Sequence, residues 1–346
     1  MFEAFVTLCA LGADAPCREV LLPGHAAETR AGCEADLAGA AGVLAGLGTA
    51  GAPHCAPRPA PGLAFEEVAP GVFVHRGAIA EPGPENGGDV ANVAFVRGAD
   101  GVVVIDAGGS RAVGEQIYLA VRAVTEAPIT HLVLTHMHPD HVLGAAPLAE
   151  AGAEIVGHAG LARALADRAE TYLDRFRNAI GVEGFLGTAV VAPDRGLAEP
   201  LVLDLGDRAL TLTPRPKAHT TNDLTVTDSE SGLLFAGDLV FATHVPTLDG
   251  SLPGWRALLE AMSEGETAAA VVPGHGGPVL AWPEGAEPVA RYLSVLESDT
   301  RAALDGGLSI SEAVPEIGQS EAGDWALFGV YNPRNATQAY TELEWE

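Results

Sequence analysis

The feature that most constrains the fold of this chain is a run of metal-ligand side chains at residues 135–141. The run reads Thr-His-Met-His-Pro-Asp-His and directly follows a short apolar segment. A strand that ends in such a run can aim alternate side chains, here His136 and His138, at one point. The turn at the proline then brings Asp140 and His141 to a second point beside the first. Imidazole nitrogens and carboxylate oxygens suit zinc, with iron and manganese as poorer fits.

Three later segments carry further candidate ligands. His219 lies in Lys-Ala-His-Thr, Asp238 in Ala-Gly-Asp and His275 in Pro-Gly-His-Gly-Gly. Each follows an apolar run and lies close to glycine or proline, as expected for residues at strand ends that project into one cleft. One such residue alone would more often be a core or turn residue. Together with the His-rich run, the three favour a metal site over a solvated loop.

The order of these segments resembles the five-segment signature of the metallo-β-lactamase superfamily, over roughly residues 63 to 300. The resemblance implies an α/β fold, namely a four-layer αββα sandwich, with two zinc ions. It implies a first metal site of His136, His138 and His219, a second of Asp140, His141 and His275, and Asp238 as the bridge between them. A bridging aspartate resembles the glyoxalase II and lactonase branches, whereas the main β-lactamase branch has cysteine there.

A narrower resemblance involves other parts of the chain. Residues 238–241 and 246–255, the C-terminal residues 335–346 and the cysteine-bearing N-terminus are similar to the quinoprotein relay system zinc metallohydrolases, which are SoxH-related. This resemblance implies a periplasmic protein associated with quinoprotein dehydrogenase systems. His244 stands where that group usually has a basic residue.

Metal-assisted hydrolysis is the mechanism that this ligand set favours. Two zinc ions would share a hydroxide that attacks an acyl substrate, an ester, thioester, lactone or lactam, and we expect Asp140 and Asp238 to fix this nucleophile. The sequence has no Gly-x-Ser-x-Gly motif and no candidate catalytic cysteine. The alternatives are a mononuclear iron oxidoreductase similar to persulfide dioxygenases, and a non-catalytic periplasmic binding protein.

Candidate residues for substrate binding and for ligand orientation lie near these segments. Lys217 is the only lysine, and it alternates with Arg215 and His219 along an expected strand, where it could bind an anionic group. We expect His244 to overhang the cleft, since it follows the Gly-Asp segment. Asp106 follows an apolar strand and is expected to orient a metal-bound histidine.

The cysteines indicate the cellular compartment. All four lie within the first 55 residues, namely Cys9, Cys17, Cys33 and Cys55. An even number in a short segment predicts two disulfides in an oxidising compartment, periplasmic or secreted, with three pairings open. A structural zinc site that also uses His25 or His54 is the alternative. The numbered chain starts without a signal-peptide pattern, so the compartment prediction requires that one has been removed.

Composition limits the partners and the organisation. A chain of 346 residues that is 48% hydrophobic can bury a full core. We expect an N-terminal disulfide-bearing segment with a linker at 1–62 and a main domain at 63–346. A net charge of -27 argues against nucleic acid, and no apolar run approaches the roughly 20 residues that span a bilayer. The expected partners are a small-molecule substrate and a periplasmic protein.

Local patterns predict the main elements. Strands are expected at 5–8, 18–22, 72–74, 92–96, 102–106, 209–213, 224–228 and 233–236, with a hairpin turn at 98–101. Helices are expected at 27–47, 110–125, 142–151, 160–178, 255–263, 284–304 and 334–344. The segment from 48 to 62, rich in proline, glycine and alanine, predicts a linker or a covering strap.

Overall fold

Short apolar strands, rich in β-branched residues, build the centre of the molecule. The computed structural model describes residues 1–12, 15–37, 51–277 and 279–345. In chain order the strands are β1 (Phe2–Cys9), β2 (Cys17–Ala27), β3 (His54–Pro57), β4 (Glu66–Ala69), β5 (Val72–His75), β6 (Val93–Arg97), β7 (Val102–Ile105), β8 (Ile129–Val133), β9 (Glu154–His158), β10 (Arg195–Leu197), β11 (Leu201–Asp204), β12 (Ala209–Pro214), β13 (Leu224–Asp228), β14 (Leu233–Phe241), β15 (Ala270–His275) and β16 (Leu280–Ala281).

The helices alternate with these strands. They are α1 (Arg30–Asp36), α2 (Arg111–Val124), α3 (Pro139–Val142), α4 (Ala145–Glu150), α5 (Leu161–Ile180), α6 (Val182–Phe185), α7 (Leu252–Gly265), α8 (Glu287–Asp305), α9 (Ile310–Ala313) and α10 (Phe328–Leu343), with 3-10 turns at Glu284–Ala286 and Gln319–Glu321. Side-chain caps begin several of them: Ser110 accepts from the N–H of Val113, and Ser251 accepts from that of Gly254. No helix in the described ranges is long and apolar enough to cross a membrane.

The strands form two large sheets and a small one. The first large sheet has seven strands in the order β10-β9-β8-β7-β6-β5-β4, and the second has six in the order β11-β12-β13-β14-β15-β16. The pairs β7–β8, β8–β9 and β14–β15 are parallel. Carboxyl ends of parallel neighbours open on one edge of a sheet, which is where ligands bind in open α/β sheets.

Three apolar clusters hold the layers together. One lies between the large sheets and joins residues such as Val103 and Val133 of the first to Leu212 and Phe235 of the second. A second fills the space between the first sheet and helices α2, α4 and α5. A third lies between the second sheet and helices α7, α8 and α10. The four-layer αββα sandwich is therefore confirmed.

The N-terminal appendage is a three-stranded sheet with the order β2-β1-β3. The cysteines pair as Cys9–Cys17 and Cys33–Cys55, so two disulfides are confirmed, and none of the four thiols remains for a Cys-His zinc site. The sheet packs on the outer helices: Phe5 belongs to the same buried cluster as α2. The domain boundary at residue 62 stays a prediction.

Two local expectations were wrong. Within the expected strap, His54–Pro57 forms a strand that pairs with β1, because β1 offers an unpaired edge and Cys55 is tied to Cys33. The expected strand through Arg215, Lys217 and His219 ends at Pro214, since proline cannot donate to a strand ladder. Of the helix expected at 27–47, α1 covers Arg30–Asp36, and positions 38–47 lie outside the described residues, as do positions 48–50 of the strap.

Candidate metal centre

The His-rich run leaves the carboxyl end of β8 and turns into α3. His138 caps α3 with extended backbone, and Pro139 occupies the first helical position, which needs no N–H donor. This turn separates the two halves of the run. His136 and His138 precede α3, whereas Asp140 and His141 lie within it.

The first cluster joins the two large sheets. Its members are His136, His138, His219 and Asp238, and their ligand atoms lie within 4.8 Å of one another. His219 Nε2 lies 3.0 Å from His138 Nδ1 and 3.4 Å from Asp238 Oδ2. His136 Nε2 lies 3.7 Å from Asp238 Oδ2.

The second cluster lies directly beside the first and consists of Asp140, His141 and His275. His275 Nε2 lies 3.4 Å from Asp140 Oδ2 and 3.5 Å from His141 Nε2. Asp238 contacts this cluster too: its Oδ1 lies 3.2 Å from His141 Nε2, and its Oδ2 lies 3.4 Å from His275 Nε2. One carboxylate therefore faces both clusters.

Each histidine is held through the nitrogen that faces away from the clusters. His219 Nδ1 lies 2.7 Å from the carbonyl oxygen of Thr247, and His275 Nδ1 lies 2.8 Å from that of Val90. Carboxylates hold two more rings: His138 Nε2 lies 3.2 Å from Asp249 and His141 Nδ1 lies 2.8 Å from Asp106. His136 Nδ1 lies 3.0 Å from the Thr135 hydroxyl. Such outer partners fix the tautomer that points a lone pair at a metal.

The inward atoms fit a cation. In the neutral tautomers that the outer partners favour, His138 Nδ1 and His219 Nε2 face each other with lone pairs. Among the described residues His136 Nε2 and Asp238 Oδ1 are buried without a hydrogen-bond partner. Buried polar atoms are rarely left unpaired, and cations bound at the two clusters would satisfy all four. Imidazole and carboxylate donors are those that zinc takes.

The electrostatics of the clusters are set by burial and mutual charge. Burial lowers the pKa of His219 to about 3, although Asp238 opposes the shift. Burial also lowers the pKa of His136 well below its usual value, and the neighbouring His141 adds to this. Burial would raise the pKa of Asp238, but His275, His141 and His136 outweigh it and hold that pKa well below its usual range. The Asp238 carboxylate is thus ionised, and His136 and His219 are neutral, as metal binding requires.

A glycine keeps the Asp238 carboxylate in place. A Cβ atom on Gly274 would lie 2.0 Å from Asp238 Oδ1, so no larger residue fits there. Gly237 makes the strand irregular just before Asp238, where the register of β14 against β15 shifts. Its φ of 53° lies in the left-handed region that favours glycine. Contrary to the expectation of a strand end, Asp238 thus lies inside β14 at a local irregularity.

A cavity of about 510 Å³ opens over the two clusters. Its base includes His138, Asp140, Asp238 and His275, and residues 80–82 of the loop after β5 form part of its wall. A cavity of this size suits a small molecule. It gives such a molecule direct access to the Asp238 carboxylate.

The two residues predicted to bind substrate have different positions. His244 lines the cavity, is buried, and lies beside the His275 ring, with the two centroids 5.0 Å apart. Burial lowers the pKa of His244 to about 4, so it is neutral near pH 7. Lys217 is exposed and is not part of the cavity wall. Arg215 is paired with Glu266 at 2.6 Å and does not line the cavity either, so a role of Lys217 in substrate binding stays a prediction.

Sequence reasoning missed three cavity residues. Asp249 holds His138, Arg168 pairs with Asp249 at 3.3 Å, and Tyr172 lies one helical turn after Arg168 on α5. For Arg168 and Tyr172 the only signal was helical spacing, since positions four apart share a face. That spacing does not tell which face meets the cavity.

Comparisons with known proteins agree with this arrangement. The sequence profile of the Metallo-beta-lactamase superfamily matches residues 86–275. No curated protein matches the chain. A metallo-beta-lactamase from Pontibacter korlensis is 20% identical over 67% of this chain and 99% of its own, with a TM-score of 0.54.

Two other solved structures are similar in fold. FIM-1, a metallo-beta-lactamase from Pseudomonas aeruginosa solved in its mono-zinc form, is 22% identical over 69% of this chain and 97% of its own, with a TM-score of 0.53. The inverting sec-alkylsulfatase Pisa1 from Pseudomonas sp. is 17% identical over 81% of this chain, with a TM-score of 0.63. This chain spans 50% of the alkylsulfatase's length.

Proposed function

Because the chain belongs to the metallo-beta-lactamase superfamily and is one of its metallohydrolases, we propose that it is a dinuclear zinc hydrolase of acyl substrates. The observation that carries the proposal is the position of Asp238. Its two oxygens lie 3.2 Å from His141 Nε2 and 3.4 Å from His219 Nε2, residues of different clusters. A carboxylate placed in this way can serve two ions at once.

The ligand assignment follows the two clusters. One zinc ion would be held by His136, His138 and His219, the other by Asp140, His141 and His275, with Asp238 shared. When bound, the two ions would lower the pKa of a shared water and polarise the scissile acyl oxygen. FIM-1, which has the same fold and was solved in a mono-zinc form, supports zinc as the metal.

Residues of the chain prepare the substrate and the nucleophile. Asp140 is half-buried at the cavity base, where its carboxylate can orient the attacking water by accepting a hydrogen bond. His244 is neutral near pH 7, and its Nδ1 lies 2.6 Å from its neighbour's carbonyl oxygen, so the ring can line the pocket without adding charge. The buried base excludes bulk water and strengthens these interactions.

Within the acyl class, a thioester or a lactone is favoured over the β-lactam that gives the family its name. Asp238 occupies the bridging position, where the main β-lactamase branch has cysteine. A carboxylate there resembles the glyoxalase II and lactonase branches, which act on thioesters and lactones. The cavity is open enough for either class.

The two disulfides support an oxidising compartment, and we include a periplasmic or secreted location in the proposal. The similarity of residues 238–241 and 246–255 to quinoprotein relay metallohydrolases supports a link to quinoprotein systems. Co-purification with a periplasmic partner under native expression would test that link, and a fully cytoplasmic protein with free thiols would contradict the location.

Metal analysis and a substrate panel test the central proposal. We expect about two zinc atoms per chain and hydrolysis of at least one ester, thioester, lactone or lactam. His136→Ala should lose zinc and lower kcat/KM more than about a hundredfold, since changing only an outer partner of a metal ligand already costs about 10–100-fold. The matched control is His131→Gln, which changes a half-buried histidine on β8 outside the cavity.

Other outcomes of these measurements would overturn the proposal. About one iron per chain with persulfide oxidation would identify the oxidoreductase alternative. Protein without metal or activity would identify a binding protein. Unchanged zinc content in His136→Ala would remove that residue from the ligand set.

A further inference from the structure

The wall of the cavity over the metal centre is unusually basic for this protein. The chain has 19 lysines and arginines against 46 aspartates and glutamates. Nevertheless Arg168, Arg175 and Arg334 all line this one cavity. Three arginine side chains around one cavity, in a protein that is otherwise strongly acidic, point to a negatively charged ligand.

Two of these arginines have no carboxylate partner. Arg168 pairs with Asp249 at 3.3 Å, and Asp249 in turn holds His138. Within the described ranges, neither Arg175 nor Arg334 makes an ion pair. The Arg334 guanidinium lies 5.2 Å from the ring centroid of Tyr331, which orients it without using its charge on an anion. Both guanidinium groups are therefore available to a ligand.

The helix face that carries Arg175 also supplies an apolar wall. Arg168, Tyr172, Arg175, Phe176 and Ala179 are spaced as one face of α5, and all five line the cavity. Tyr172 and Phe176 are buried, whereas Arg175 is exposed. The wall thus changes from polar metal ligands at the base, through aromatic carbon, to a guanidinium at the rim.

The Tyr172 hydroxyl gives a second, independent indication of a ligand. It is buried in the cavity wall and has no hydrogen-bond partner among the described residues. A buried hydroxyl without a partner costs free energy, and a polar ligand in the cavity would remove that cost. The cavity is therefore shaped for a molecule with an oxygen acceptor next to its apolar part.

We propose that the substrate is an acyl compound that carries a carboxylate at the far end of a short apolar linker, and that Arg175 and Arg334 bind this carboxylate. The inference rests on the proposed hydrolase function, since it places the acyl group at the metal centre. Arginine suits this role because its planar group binds a carboxylate through two hydrogen bonds. Glu81, the acidic side chain at the same rim, would disfavour such a substrate without cancelling two guanidinium charges.

Kinetics on a matched substrate pair test this specificity. The pair is an aryl half-ester of a dicarboxylic acid and the same ester with its free carboxylate replaced by a primary amide. The wild type should prefer the carboxylate by about tenfold in kcat/KM, mainly through KM. In Arg175→Gln/Arg334→Gln the preference should fall to about one, mainly because kcat/KM on the carboxylate substrate falls. A tenfold effect is the size expected, since solvent-exposed charge pairs contribute modestly.

Three further variants separate recognition of the carboxylate from general damage. Arg175→Lys/Arg334→Lys should retain part of the preference, since lysine keeps the charge but not the planar group. Glu81→Gln should increase the preference for the carboxylate substrate, because it removes the negative charge at the rim. Arg177→Gln, on the same helix but outside the cavity wall, should leave kcat/KM unchanged for both substrates. Equal loss on both substrates in the double glutamine variant would overturn the proposal.

Binding of unreactive acids distinguishes failure of this inference from failure of the hydrolase function. Hexanedioate and hexanoate share the carboxylate that can face the metal centre and differ only in charge at the far end. Calorimetry on the zinc-loaded protein should give tighter binding of hexanedioate by about five- to tenfold, lost in the double glutamine variant. Equal affinities with intact hydrolysis would overturn the carboxylate site alone. Preserved preference without any hydrolysis would overturn the hydrolase proposal alone.

Discussion

At the scale of single residues, Asp106 links the backbone of the first sheet to the metal centre. Its φ of 63° is unusual for a residue with a side chain. Its Oδ1 accepts the N–H of Thr135 at 2.8 Å, and its Oδ2 accepts the hydroxyl of the same residue at 2.8 Å. The same Oδ2 lies 2.8 Å from His141 Nδ1. These contacts offset the backbone strain. Asp106 orients His141 of the second cluster directly, and it orients His136 of the first cluster through the Thr135 hydroxyl, which also contacts His136.

Asp106→Asn should weaken the second metal site more than it weakens the fold. Asparagine tolerates the left-handed backbone, but its amide lacks the charge that orients His141. We expect metal affinity to fall by about 10–100-fold. Competition with a chromophoric chelator measures this change. Asp207→Asn, whose carboxylate holds the N–H of Ala99 in a surface turn, is the control. Equal affinity in the two variants would show that Asp106 does not act through His141.

At the scale of elements, the sequence predicted the strands and helices that show a clear pattern. The hairpin β6–β7 and helices α2 and α5 lie within a few residues of their expected bounds. Their patterns are local: a turn signal between apolar runs, or apolar residues at helical spacing. The metal-ligand segments were also found from local sequence, because their spacing and flanking glycines are unusual.

The elements that were missed depend on distant partners. Strand β9 is flanked by β8 and β10, so its pairing is decided by the sheet rather than by its own residues. Strand β3 forms because β1 offers it an edge. The cavity wall also depends on distant partners. The sequence predicted α5 as a helix, but the packing of that helix on the rest of the molecule decides that Tyr172 and Arg175 line the cavity over the metal centre.

The loop from β5 to β6 should respond to pH through one ion pair. His75 Nε2 lies 2.9 Å from both oxygens of Asp89, and residues 80–82 between them form part of the cavity wall. Burial would lower the pKa of His75, but Asp89 outweighs it and raises that pKa above its usual 6.5. The His75–Asp89 ion pair therefore stabilises the folded state fully below about pH 6.5, and this stabilisation is lost as the pH rises through the raised pKa of His75.

Asp89→Asn isolates this contribution. At about pH 6 the variant should be less stable than the wild type by about 1–3 kcal/mol, the usual value of a hydrogen bond to a charged group. The difference should shrink as pH rises, which denaturant unfolding at stepwise pH would measure. Glu66→Gln is the control, since it removes an exposed pair with Arg76 that should contribute about 1 kcal/mol or less at any of these pH values. A gap between wild type and Asp89→Asn that is constant with pH would contradict the assignment.

At the scale of the whole molecule, the metal centre lies where the two halves of the sandwich meet. The His-rich run comes from the first sheet, whereas His219, Asp238 and His275 come from the second. Apolar contacts also join the sheets, as the cluster around Val103 and Phe235 shows. The N-terminal sheet, which carries both disulfides, packs on the outer helices, and none of its described residues belongs to the two metal-ligand clusters. Bound metal would therefore cross-link the halves without involving the appendage.

Removal of metal should consequently lower the stability of the whole sandwich. A ligand present at about a hundredfold above its Kd stabilises the folded state by about 2.7 kcal/mol. For a chain of this size that corresponds to a loss of roughly 4 °C in Tm after chelation, reversed by added zinc.

The same chelator should shift the Tm of His136→Ala much less, because that variant has already lost zinc from the first site. A wild-type Tm that is insensitive to chelator, in protein shown to contain zinc beforehand, would mean that the apolar contact between the sheets alone holds the halves together. Since His136 and Asp238 leave buried atoms unpaired across that boundary when no cation joins them, we expect the metal-dependent result.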